Sequence, residues 1–258
     1  MDKLAEIVLT TAAKRSLEFA FDGVKSLLKR YTSDLSASAS EIEKAISDHQ
    51  TEIASWASEV SFRDFPRGRR TDEVFVPLDI YLNRIRSRVD DELLEEVKLE
   101  DVLLSDERSC VILGQPGAGK TTALKHICQR FFTEPAFLSQ YQLIVRIQLR
   151  ELNVVTPTAS PEYLSRLLQE MLRLRISYPD DLGGDENIGA RRALRDRVVI
   201  DWLNSVHALV ILDGFDEITL KARRDLTTEE IRRLAPQMTT AAFILTGRSG
   251  EFSYHIEK

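Results

Sequence analysis

The chain has 258 residues, of which 43% are hydrophobic and 29% charged, with a formal net charge of -6. That length accommodates one α/β domain with a smaller attachment. The acidic balance argues against a surface that coats nucleic acid, and two cysteines exclude a disulfide scaffold.

Reading from the start, Leu4, Ile7, Val8, Ala12, Leu17, Ala20, Phe21, Val24, Leu27, Leu28 and Tyr31 recur at three- and four-residue spacing. This predicts one or two amphipathic helices with a stripe to bury. Residues 33–40 are a Ser/Ala-rich linker, and Ser40 with Glu43 has the spacing of a capping box opening a second helix through Ile42, Ile46, Ile53, Trp56 and Val60. Residues 1–62 are therefore expected to form a small helical region. Its role is open between an effector or adaptor module, an accessory layer on the rest of the chain, and a membrane-surface helix, for which the Lys/Arg enrichment is modest.

Pro66 and Gly68 break the pattern, and Arg63, Arg67, Arg69 and Arg70 cluster there, which marks a boundary. Residues 63–104 read as linker and leading helix. Val74-Phe75-Val76 is an extended segment before Pro77, and a charged helix runs from about Asp90 to Leu104.

From residue 105 onward strands and helices alternate. Cys110–Leu113, Gln142–Leu149, His207–Leu212 and Phe243–Leu245 are the strand candidates, and Thr121–Phe132, Tyr163–Leu174 and Ala190–Val206 the helices. A polar loop covers residues 180–187. Connections this long between strands demand crossovers, so a mostly parallel sheet flanked by helices is the expected fold for residues 105–258.

Gly114-Gln115-Pro116-Gly117-Ala118-Gly119-Lys120-Thr121 fits the phosphate-loop pattern in full, between a strand and a helix. The glycines let backbone N–H groups approach a polyphosphate, and the helix beginning near Lys120 points its unpaired donors the same way. Lys120 is expected to neutralise the β- and γ-phosphates, Thr121 to offer its hydroxyl to Mg2+, and Thr122 to contact the α-phosphate. A second constellation, Leu212-Asp213-Gly214-Phe215-Asp216-Glu217, leaves a buried strand with an aspartate at its end. Asp213 is the expected Mg2+ acid, and Asp216 or Glu217 the residue that orients or deprotonates an attacking water. The alternative for the latter pair is an acidic turn that caps a helix. Arg248, closing another strand, is expected to sense a γ-phosphate, against an ordinary salt-bridging role.

These segments resemble the NACHT family of signal-transducing P-loop NTPases within the STAND class. The resemblance rests on residues 114–122, on the acidic motif at 212–217, on Ile147-Gln148-Leu149-Arg150-Glu151-Leu152 and on Thr246-Gly247-Arg248, and it covers roughly residues 105–258. It implies a molecular switch that binds ATP with Mg2+, assembles as a homo-oligomer on activation by a trigger protein, and in bacterial members acts against phage. The resemblance also implies that the family's later helical, winged-helix and sensor segments are missing, and His255 is too close to Arg248 to be the family's nucleotide-contacting histidine. Two other readings stand beside it: an AAA-type ATPase acting on nucleic acid or protein, and a scaffold that binds ATP without significant hydrolysis. No Asn-Lys-x-Asp guanine motif is present, which favours ATP over GTP. No apolar run reaches the roughly 20 residues that span a bilayer, so a cytoplasmic location is expected.

Overall fold

The computed structural model describes residues 11–31, 38–61, 68–78, 80–82, 95–105, 109–154, 163–171, 173, 176 and 187–248. The stripe at Leu4 to Val8, Arg63, Arg67, most of the 180–187 loop and His255 lie outside these. In chain order come α1 (Thr11–Arg30), α2 (Ala39–Ser58), the antiparallel pair β1 (Glu59–Val60) and β2 (Arg69–Arg70), and the short α3 (Thr71–Val74). A second antiparallel pair, β3 (Ile80–Leu82) and β4 (Glu95–Val97), leads to α4 (Leu99–Leu104). Then follow β5 (Cys110–Leu113), α5 (Lys120–Thr133), α6 (Pro135–Gln140), β6 (Leu143–Gln148) and α7 (Tyr163–Met171). The last elements are α8 (Ile188–Ser205), β7 (Ala208–Asp213), α9 (Lys221–Leu234) and β8 (Ala242–Gly247).

The four long strands form one parallel sheet in the order β5-β8-β7-β6. Alternation along the strands sends side chains into two cores, as the period of two requires. Leu143, Val145, Ile147, Val210, Leu212 and Leu245 share one face with α1, α7 and α8. Ile144, Leu209, Ile211, Ile244 and Ile112 share the other with α4, α5 and α6. This is an α/β sandwich of the P-loop NTPase kind, as the strand and helix order predicted.

Helix α2 belongs to both cores. Its first half places Ile42 and Ile46 in one, and its second half places Ile53, Ala54 and Ala57 in the other, so the helix wraps the outer edge of β6. At the crossing it supplies what a neighbouring strand would have supplied. Gln50 Nε2 donates to the Ile144 carbonyl (2.5 Å), and His49 Nε2 accepts from the Arg146 N–H (3.2 Å). An exposed edge is a template for unwanted pairing, and two side chains close this one. Acceptance by Nε2 requires a neutral ring. Burial, and then the charge of Arg146, pull the His49 pKa down from 6.5 to about 4.

Helix α1 packs closely as well. A Cβ at Gly23 would lie 2.7 Å from Val206 Cγ1, so only glycine allows that approach. Tyr31 donates to Asp201 Oδ2 (2.6 Å), and Arg30 pairs with the same carboxylate (3.1 Å).

The local expectations need several corrections. The capping box of α2 is Ser38 with Glu41, two residues earlier than Ser40 with Glu43; both pairs have the spacing, but Ala39 and Ser40 are already helical. The helix expected from about Asp90 starts only at Leu99, because Glu95–Val97 pairs with Ile80–Leu82 as a strand. Val74 ends a helical turn instead of opening an extended segment. Phe75 stacks on His126 of α5 at 3.8 Å between ring centroids, which ties this segment to the helix after the phosphate loop.

Candidate functional site

The phosphate loop is built almost entirely from its own backbone. Strand β5 ends at Leu113, and Gly114 N donates to Gly247 O of β8 (3.2 Å), which anchors the loop's first residue to the sheet. Ala118 N returns to Gln115 O (3.1 Å). Gly117 and Gly119 have φ of +79° and +83°, the left-handed region that L side chains resist, and Gly119 is the N-cap of α5. A Cβ at Gly117 would meet nothing within 4 Å, and Gln115, Pro116, Gly117 and Ala118 are all exposed. The cradle is open. Lys120 Nζ lies back over it, donating to the carbonyls of Gly114 (2.7 Å) and Gln115 (3.1 Å), while Thr121 is exposed and Thr122 half-buried.

The acidic side is held by side chains from elsewhere. Asp213 ends β7. Its Oδ1 accepts from Thr246 Oγ1 (3.0 Å), and its Oδ2 from an Arg146 guanidinium nitrogen (3.1 Å). The same Thr246 hydroxyl accepts the Gly214 N–H (2.8 Å), so one buried threonine of β8 sets both the carboxylate and the turn after it. Gly214 has φ of +82°, and the tight turn closes with Glu217 N donating to Gly214 O (2.9 Å). Asp216, with 10% of its side chain exposed, pairs with Arg248 Nε at 2.7 Å, whereas Glu217 is exposed.

Register brings the two halves together. Leu113 stands opposite Gly247, and Leu212 opposite Leu245, so the phosphate loop and the acidic turn leave the carboxyl ends of strands on either side of β8, with Thr246 to Arg248 between them. Open α/β sheets bind ligands at that end.

Two residues at the site escaped the sequence reading. Asn153 clamps the acidic turn, donating to Glu217 O (2.8 Å) and accepting from the backbone and hydroxyl of Thr219 (2.9 and 3.0 Å). Nothing in an isolated asparagine signals this. Arg146 did leave a signal, as the one cation in the run Leu143 to Gln148 of a strand that is otherwise mostly apolar.

The donors present suit the expected groups. A hydroxyl and a carboxylate are the hard oxygen ligands that Mg2+ takes, and a glycine cradle beside a lysine suits a polyphosphate. Burial pushes the thiols of Cys110 and Cys128 up to about 12, which leaves both protonated and disfavours a thiolate nucleophile here.

The family model of the NACHT domain matches residues 108–253, more than half of the chain. The chain belongs to the NACHT family. The matched span takes in the phosphate loop, Asp213, the acidic turn and Arg248, and it begins after α4. A NACHT domain is a P-loop NTPase domain, generally of signalling proteins, so this part of the chain is of a nucleotide-binding kind, commonly one that oligomerises. A search of curated proteins returns no match. Among the described residues no helix is long and apolar enough to cross a membrane.

Proposed function

We propose that the chain is a cytoplasmic ATP-binding switch, in which hydrolysis with Mg2+ is coupled to homo-oligomerisation in innate immune or antiphage defence. The observation that carries the nucleotide part is the meeting of an open phosphate cradle and a partly buried strand-end carboxylate on either side of β8.

In this reading the backbone from Gly114 to Gly119, including Gln115, Pro116, Gly117 and Ala118, wraps the phosphates. Lys120 exchanges its two carbonyl partners for phosphate oxygens, and Thr122 contacts the α-phosphate. Thr121 and Asp213 would hold Mg2+, whose chemistry is to neutralise charge on the phosphate oxygens. Glu217, exposed and one residue from the Asp216–Arg248 pair, is available to take a proton from water. Arg248 has a competing anion in this scheme. A γ-phosphate that draws the guanidinium away frees Asp216 to orient the water, so nucleotide sensing and assembly of the catalytic pair become one event. The closed Asp216–Arg248 pair also favours a second reading, an ATP-binding scaffold with little hydrolysis. The AAA-type alternative gains no support from the chain's acidic charge. Residues 1–62 enter as the effector or adaptor region, and the packing of α1 and α2 on the sheet puts that region's described helices in direct contact with the nucleotide domain.

Calorimetry with Mg2+ and ATP, ADP or GTP tests the first step, and selective binding of adenine nucleotides is expected. Glu217→Gln should keep ATP affinity and slow phosphate release; equal turnover by Glu217→Gln, Asp216→Asn and the parent would remove both residues from the mechanism. Light scattering in the presence of nucleotide and trigger reads assembly, and a constant mass on activation counts against it.

A further inference from the structure

We propose that Arg146 is a resident counter-ion on the Asp213 carboxylate, held there by Trp56 of α2, and that it withdraws into an adjacent acidic cavity as Asp213 is given over to Mg2+. The inference rests on Asp213 being the metal carboxylate.

The geometry is that of a cation parked by a ring. The Arg146 guanidinium carbon lies 3.6 Å from the centroid of the Trp56 ring, and one terminal nitrogen reaches Asp213 Oδ2 at 3.1 Å. The side chains of Arg146 and Asp213 are only 9% and 11% exposed. This is a single hydrogen bond and not the two-pronged fork that makes arginine–carboxylate pairs strong. Arg146 Nε finds no hydrogen-bond partner among the described residues. The guanidinium is therefore held by the face of an aromatic ring and by one charged contact, both of which it can leave without breaking a network.

It also has somewhere to go. A cavity of about 280 Å³ borders Arg146 and Trp56, and Glu52 of α2, Glu151 after β6 and Glu170 of α7 line it. A guanidinium leaving Asp213 meets the exposed carboxylates of Glu52 and Glu151 there, with Glu170 already paired to Arg166 at 3.0 Å, so hydration and two further anions offset part of the loss of Asp213. A metal cation arriving at Asp213 and a guanidinium already on it repel each other. Occupation of Asp213 by Arg146 must therefore weaken Mg2+ binding.

Trp56 makes this a property of the N-terminal helix. Its ring also has Lys125 Nζ 5.0 Å from the centroid, and Lys125 lies on α5, the helix that opens at the phosphate loop. The same ring thus touches the helix of the phosphate half and the cation of the acidic half. The position of α2 on the β6 edge, fixed by His49 and Gln50, decides whether Arg146 stays on Asp213.

The test is ADP binding by calorimetry at graded Mg2+ concentrations, with tryptophan emission followed in parallel. The chain has two tryptophans, and the other, Trp202, is fully buried in the core. In the parent, Mg2+ with ADP should shift the emission, ADP with EDTA should not, and the shift should vanish in Trp56→Phe. Trp56→Leu should lower the half-saturating Mg2+ concentration roughly five-fold, the effect of losing one cation–π hold, and Arg146→Met, which removes the counter-ion itself, should lower it at least as far. Trp56→Phe, which keeps a ring and the fold, should fall between them and the parent. A parent that needs Mg2+ for ADP, joined with unmoved emission and unchanged Mg2+ dependence in the variants, overturns the counter-ion role alone. A parent whose ADP affinity ignores Mg2+ overturns the Asp213 assignment and the counter-ion role with it.

Discussion

The phosphate loop and the acidic turn face each other across β8, yet they are made differently. The loop's shape comes from its own residues, 114 to 120, through glycine dihedrals and carbonyls bonded by the loop's own lysine, with one backbone tie to β8. The acidic turn owes its shape to Thr246, Arg146, Arg248 and Asn153, which arrive from β8, β6 and the segments after them. A locally made half is damaged chiefly by changes within it, its outside tie being the Gly114 bond to Gly247. A half made from distant side chains can be altered from anywhere those side chains reach, and that is the half on which a regulator can act.

The largest effect belongs to the local half. Lys120→Ala should weaken ATP and ADP binding about a hundredfold, the loss of a charge-assisted contact of about 1.5–3 kcal/mol, and calorimetry on the folded variant would reverse the assignment by finding parent-like affinity.

Next comes the pH response of the distant half. The N–H of Arg146 needs a neutral His49, whose pKa is about 4 in the folded chain against 6.5 unfolded. The unfolded chain binds the proton more readily, so stability from this group is whole above pH 6.5 and is lost as pH falls from 6.5 towards 4. The loss is up to about 1.4 kcal/mol for each pH unit inside that window. Urea titrations should show the decline in the parent and a shallower one in His49→Gln; parallel curves would detach His49 from the strand edge.

Two of the three glycines at positive φ sharpen the contrast. Gly117→Ala and Gly214→Ala each place an L side chain at positive φ, at about 1–2 kcal/mol. At Gly117 the methyl enters the open cradle, so nucleotide affinity should fall. At Gly214 it would lie 2.9 Å from Glu217 Cδ, so Glu217 must move, and hydrolysis should slow while affinity holds. Identical kinetic signatures for the two would erase the distinction. The smallest effect is expected of Asn153→Ala, which releases the acidic turn at about 1 kcal/mol in thermal unfolding and lowers turnover without changing binding.

The sheet was legible because its strands are continuous apolar runs. The strand expected at Gln142–Leu149 is Leu143–Gln148, and the one at His207–Leu212 is Ala208–Asp213. Helix α9 was not legible. It buries Arg223, Thr227 and Glu230 beside Leu234, so hydrophobic spacing underestimates its inner face. Glu230 is buried because it accepts the N–H groups of Leu164 and Ser165 at the start of α7, a tertiary partnership that no periodicity records. At the site the same division holds: glycine, lysine and threonine at fixed spacing announce a phosphate loop, whereas Arg146, Thr246 and Asn153 matter only because folding delivers them to Asp213 and its turn.

Helix α2 also limits how this chain can be shortened or recombined. Its two ends complete two different cores, and its middle closes the backbone of β6. Cutting the protein before the matched NACHT span would uncover apolar surface on both sides of the sheet and leave β6 free to recruit a strand from another molecule. A NACHT segment prepared that way would be prone to aggregate, and grafting a foreign N-terminal module onto it would succeed only if the graft brought its own replacement for the Ile42 to Ala57 seam.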